Sequence, residues 1–140
     1  MTDRRPDLLV DTSVSVALVV ADHDHHEAVV REVGDLRLGL AGHAAFETFS
    51  VLTRLPPPAR RTPAAVQRLI TQNFPATRFL PPDAAAHLLD ELAALGIAGG
   101  AVYDALVAAT ARAHSVELAT RDLRAADTYR AIGVQLRVIT

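Results

Sequence analysis

Residues 103–122 read YDALVAATARAHSVELATRD, a long apolar helix pattern followed by a short apolar strand that ends on an acid. The helix over 101–114 has apolar residues on nearly every side: Val102, Leu106, Val107, Ala108 and Ala111 surround Asp104. That pattern implies a helix packed on more than one face, with Asp104 buried among its neighbours. The strand over 117–119 extends through Thr120 and Arg121 to Asp122, and a helix over 123–132 closed by Gly133 follows it. A buried helix, a strand, then another helix is the unit from which parallel sheets are built.

The same alternation runs outward in both directions. Leu8-Leu9-Val10 is too continuously apolar for a half-exposed strand, and it ends at Asp11. Helices follow over 12–21 and 24–33, then a strand over 37–41. A helix over 43–55 stops at Pro56-Pro57-Pro58, and another over 62–72 carries Pro63 in its first turn. A brief strand over 78–80 precedes a helix over 83–95 that ends at Gly96, and a last strand covers 134–139. Five short strands alternating with helices predict an α/β chain, a three-layer α/β/α sandwich around a central parallel sheet of about five strands. No repeat, low-complexity tract or linker divides the 140 residues, so residues 1–140 are expected to form one domain.

Composition narrows the chemistry. There is no cysteine, which removes disulfides and thiolate metal sites and fits a reducing cytoplasm. The N-terminal residues lead straight into the first strand without the apolar stretch of a secretory signal, and no apolar run is long enough to span a bilayer. The expected location is the cytoplasm, away from membranes. All 14 basic residues are arginine, and the formal net charge is −2. A GC-rich coding bias explains the arginines, and so does bidentate recognition of phosphate.

Four acids stand out by position: Asp11 and Asp122 at strand ends, Glu47 on the helix over 43–55, and Asp104. Each admits a plainer reading. Asp11 and Asp122 precede helices and are suitable N-caps. Glu47 shares a polar stripe with His43, Ser50 and Arg54. Asp104 can be compensated by the first-turn dipole of its own helix. Ligands of open parallel sheets, however, bind at the carboxyl ends of strands near the reversal of strand order. Carboxylates gathered there repel one another unless a divalent cation neutralises them, and hard oxygen ligands select Mg²⁺ or Mn²⁺.

The stretches LLVDTSV, AAFETFSVLTRL and YDALVAATARAHSVELATRD together resemble, in order and spacing, the successive motifs of PIN-domain proteins, and most of all the VapC-type toxins. The resemblance covers nearly the whole chain. It implies a five-stranded parallel sheet, Mg²⁺-dependent cleavage of RNA, dimerisation and inhibition by a cognate antitoxin. By this resemblance Asp11, Glu47, Asp104 and Asp122 occupy the family's catalytic and metal-binding acid positions. Thr12 and Thr120 occupy its adjacent hydroxyl positions. Leaving those four acids aside, 14 basic residues face 12 acidic ones, a balance of +2. Arg54, Arg60, Arg61, Arg121 and Arg124 lie near the motifs and are candidates for phosphate contact, with plain surface exposure as the alternative.

Other strand-end aspartate enzymes fit less well. A receiver domain needs a lysine, and the chain has none. A haloacid-dehalogenase-type phosphatase wants a second aspartate at the position of Ser13. Neither a GxGxxG nor a Walker loop is present. The rival from another class is a PIN-like module that binds RNA or a protein partner without cleaving it. His23, His25 and His26 read as the polar start of a helix, and His43 and His114 as structural or exposed.

Overall fold

The computed structural model describes residues 4–140; residues 1–3, on which part of the reading of the N-terminus rests, lie outside the described residues. β1 (Leu8–Val10) is followed by α1 (Thr12–Val19) and α2 (His26–Val33), then β2 (Leu38–Leu40). α3 (His43–Thr53), α4 (Pro63–Asn73), α5 (Pro82–Leu95) and α6 (Ala101–Ala113) come before β3 (Leu118–Thr120). α7 (Leu123–Ile132) leads into β4 (Leu136–Val138). The strands pair in parallel in the order β2-β1-β3-β4.

Successive strand residues point to opposite faces, so each central strand feeds two cores. Leu9 and Leu118 pack with Leu88, Leu92, Ala108 and Tyr129, from α5, α6 and α7. Leu8, Val10 and Ala119 pack with Val14, Ala17, Val29 and Val33, from α1 and α2. The sandwich is thus three-layered, as the alternation of elements predicts.

The sheet has four strands among the described residues, one fewer than expected. Residues 76–78 do run beside β2: Ala76 N donates to Leu38 O, and Arg78 N to Leu40 O. A regular parallel ladder would next take the Leu40 N–H to a carbonyl of this segment. The Thr77 hydroxyl accepts it instead, at 3.0 Å. Only the Ala41–Arg78 bridge remains of the fifth strand. Pro81 and Pro82 then end any extension, because neither has an N–H to pair. The predicted helix over 24–33 also starts late, at His26, with His25 as its N-cap and the His25 N–H donating to the His23 ring.

The order β2-β1-β3 places its reversal between β1 and β3, the two central strands. A crevice forms there because the connections leaving β1 and β3 depart to opposite sides. The edge segment presses closely on β2 at Gly39. A Cβ at that position would lie 2.1 Å from the carbonyl oxygen of Ala76 and 2.7 Å from Thr77 N, both rigid backbone. Gly39→Ala is therefore expected to lower stability by about 1–3 kcal/mol, the usual scale of overpacking, as urea denaturation would measure. A variant as stable as the parent would show that residues 76–78 are not held against β2.

Candidate active site

Asp11 leaves β1 at its carboxyl end and serves as the N-cap of α1, where its Oδ1 accepts from Val14 N at 3.2 Å. It is only 3% exposed. Three hydroxyls complete its surroundings. Ser13 Oγ donates to Oδ1 at 2.6 Å; Thr120 Oγ1 and Tyr129 OH donate to Oδ2 at 2.5 and 2.9 Å. Four donors fill the acceptor positions of one carboxylate. Burial nevertheless outweighs them and holds the Asp11 carboxyl above the usual range. Tyr129 is pushed far up by its burial and by the charge of Asp11 beside it, so it stays a donor.

The network crosses from β1 to β3. Ser13 Oγ accepts from Arg121 N at 2.8 Å, and Thr120 Oγ1 accepts from Asp122 N at 3.0 Å. These bonds fix the turn that delivers Asp122. Asp122 then caps α7, its Oδ1 accepting from Arg124 N and Ala125 N, and its Oδ2 meets the Arg124 guanidinium at 3.2 Å. The capping reading is realised in both Asp11 and Asp122: a side-chain oxygen of each accepts from the first turn of the helix that follows, and this cap aims the carboxylate.

Glu47 and Asp104 arrive on two further helices, α3 and α6. A buried hydroxyl–hydroxyl bond of 2.6 Å between Ser15 and Thr48 ties α3 to α1, beside Glu47. Glu47 Oε1 lies 3.3 Å from Nε2 of His43, one helical turn away. α6 crosses the start of α3 at Gly42, whose φ of 50° and close approach to Thr110 Oγ1 exclude a side chain. Farther along α6, Arg112 binds Glu91 of α5 and the carbonyl of Ile132 at the end of α7, so three helices hold α6 in place. Asp104 is part-buried rather than fully enclosed, and it lines two neighbouring pockets. Its carboxylate makes no hydrogen bond among the described residues. Its ionisation is disfavoured first by desolvation, then by the charge of Asp122, with Glu47 and Asp11 adding to the effect against Arg124.

Asp11, Glu47, Asp104 and Asp122 line one small pocket of about 90 Å³, together with Thr12, Ser13 and Arg124. The sequence reading thus has its four acids in one place. The hydroxyl that reaches Asp11 from α1 is that of Ser13, while Thr12 only lines the pocket. Ser13 and Tyr129 were not singled out by the sequence: Ser13 follows a better motif residue, and Tyr129 sits in a helix whose buried face shows no sign of a polar partner. Of the five arginines, Arg124 is at the pocket. Arg54 and Arg60 bond to Ser50 and to the carbonyl of Leu55, away from it. His23, His25 and His26 stand at the start of α2, outside the site.

The donor set fits a hard divalent cation: every candidate ligand is a carboxylate oxygen, and their mutual repulsion is what such an ion relieves. Among the described residues no three acidic or histidine side chains close into a ready ligand cage. An ion that keeps several of its waters, as Mg²⁺ does, needs only one or two carboxylates directly.

Repulsion at Asp104 has a measurable consequence without metal. A carboxyl whose folded-state pKa is raised makes the ionised protein less stable. This cost is full above the raised value and vanishes below the ordinary value of about 3.9. In metal-free buffer Asp104→Asn should therefore melt higher than the parent at neutral pH. The gap should shrink as pH falls towards 4, and a gap independent of pH would remove repulsion as its cause.

The chain matches the model of the PIN domain over residues 8–131. It is 50% identical over 134 residues to ribonuclease VapC27 of Mycobacterium tuberculosis, covering 96% of this chain and 98% of that protein. Ribonuclease VapC40 of the same species is 46% identical over 132 residues, covering 93% and 97%. The crystal structure of FitAcB from Neisseria gonorrhoeae has the same fold, with a TM-score of 0.67 at 23% identity over 92% of this chain and 95% of that one. With a family match over most of its length and relatives this similar from end to end, the chain belongs to the PIN-domain family.

Proposed function

We propose that this chain is a Mg²⁺-dependent endoribonuclease, a single PIN domain over residues 1–140 acting as the toxin of a type II toxin–antitoxin pair. The observation that carries the proposal is the convergence of Asp11, Glu47, Asp104 and Asp122 on one pocket at the reversal of strand order. The ribonuclease names of its relatives support the substrate class. No helix of the described residues is long and apolar enough to cross a membrane; a cytoplasmic location is part of the proposal.

Asp104 and Asp11 are the first candidates to hold the ion, with Glu47 and Asp122 acting directly or through water. Asp104 has no hydrogen bond to give up. Asp11 must release one of its four donors to bind directly. When bound, Mg²⁺ (or Mn²⁺ in its place) supplies a more acidic water for attack on phosphorus and offsets charge on the phosphoryl oxygens. Thr120, Ser13 and Tyr129 hold the Asp11 carboxylate at the floor of the pocket. Arg124, exposed at its mouth, meets the phosphate that the acids alone would repel. The cognate antitoxin and a second copy of the chain are the expected protein partners; exposed Phe46, Phe79, Leu89 and Leu95 offer apolar surface for them.

Pure protein should degrade a mixed RNA pool in Mg²⁺ or Mn²⁺ and lose that activity in excess chelator. Asp104→Asn should cut the rate by roughly 100-fold or more while the fold persists. RNA held but not cut under all these conditions would favour a binding module instead.

Asp122 and Asp127 provide a finer comparison. Asp127 lies a turn into α7, is 96% exposed and pairs with Arg130 at 3.8 Å. Asparagine caps helices as well as aspartate does, so Asp122→Asn keeps α7 while removing a charge from the pocket. It should lose most activity at saturating Mg²⁺, and Asp127→Asn should keep most of it. The reverse ranking in steady-state kinetics would displace Asp122 from the site.

A further inference from the structure

Next to the four-acid pocket lies a second cavity of about 480 Å³, within the ~300–1,000 Å³ of small-molecule sites. Glu47, Asp104 and Arg124 line both. The second cavity adds His43, Tyr103 and Thr128. Tyr103 immediately precedes Asp104 on α6, and it is 52% exposed. Its ring stacks on His43 with centroids 4.8 Å apart and planes 23° from parallel. His43 is in turn steadied by Glu47 at 3.3 Å. One face of the tyrosine is thus backed by a second ring, and the ring is still half open to solvent.

An exposed aromatic ring can cover apolar surface for a protein partner, as Phe46 and Phe79 are suited to do. Tyr103 differs in its surroundings. A histidine, an arginine and a threonine share its cavity, and neither the Tyr103 nor the Thr128 hydroxyl has a hydrogen-bond partner among the described residues. Such a wall offers a flat apolar face rimmed by polar groups, which matches a nucleobase with its polar edge. The cavity also adjoins the place where the phosphodiester is to be held, and Arg124 spans the two.

We propose that the Tyr103–His43 pair is a stacking platform for an unpaired nucleobase of single-stranded RNA, an assignment that rests on the ribonuclease reading above. Base stacking on aromatic side chains tolerates any base, since each has a π-face. The platform therefore selects unpaired over paired RNA before it selects sequence.

The chain has no tryptophan, so Tyr103→Trp introduces a single fluorescent reporter at the platform. It is placed in an Asp104→Asn background with Mg²⁺, so that RNA stays intact. A short single-stranded oligoribonucleotide should quench its emission, and an abasic oligomer of the same length should not. Equal quenching by both, or quenching only by an arginine-rich peptide standing for a protein partner, would overturn the proposal. In the cleavage assay Tyr103→Ala should raise KM about 5- to 150-fold with little change in kcat, whereas Tyr103→Phe, which keeps the ring and loses only the hydroxyl, should raise it far less than Tyr103→Ala. Parent-like KM in Tyr103→Ala with cleavage intact would remove the platform and leave the ribonuclease. Base-dependent quenching in a chain that cuts no RNA would keep the platform and remove the ribonuclease.

Discussion

A carboxylate withdrawn almost wholly from water is costly unless donors meet it, and Asp11 is met by four. Those donors come from three places in the chain: the first turn of α1, the last residue of β3 and the middle of α7. The requirement to satisfy one buried acid therefore sets the spacing of β1 against β3 and the seating of α7 across their ends. Remove the carboxylate and three hydroxyls lose their acceptor inside the protein. The network behaves as a joint between the two central strands.

Everything else at the site is placed relative to that joint. Ser13 and Thr120 each donate to Asp11 and accept a backbone N–H from the turn after β3. One side of each hydroxyl fixes the buried acid and the other aims Asp122. Glu47 is carried by a helix bonded to α1 through Ser15 and Thr48, and Asp104 by a helix clamped through Arg112. Asp11 and Asp122 are thus held through their own carboxylates, and Glu47 and Asp104 by contacts their helices make elsewhere. On the proposed reading this scaffold bears the repulsion of the acids, and an incoming cation would relieve it.

Sequence made some of this legible and concealed the rest, for physical reasons. β1, β3 and α7 announce themselves through apolar runs, a capping aspartate and a terminal glycine, all local signals. The acids are legible because two close strands and one sits in an apolar helix. The loss of the fifth strand depends on a single hydroxyl, Thr77, taking a backbone donor across space, and no local pattern encodes that. Tyr129 reads as an ordinary core residue because its partner is 118 positions away. His43 and Tyr103 look unremarkable singly, and their stacking follows only from how α6 crosses α3. The expectation that Asp104 is buried holds only in part, since helical periodicity reports apolar neighbours but not where a groove interrupts the packing.

The charge balance of the chain takes on a different sense once the site is located. A net charge of −2 looks unsuited to a polyanion, yet four of the 16 acids lie in one pocket and the 12 others are outnumbered by 14 arginines. Of these, Asp11 is enclosed and Asp122 is engaged by Arg124 and by the amides of α7, so an approaching phosphate does not meet four free charges. Glu47 and Asp104 are left to oppose it, and they are the two that also line the cavity beside Tyr103. On the proposed ribonuclease reading, phosphate and base would be received on the same edge of the pocket, where neutralising two carboxylates would convert a repulsive surface into a receptive one.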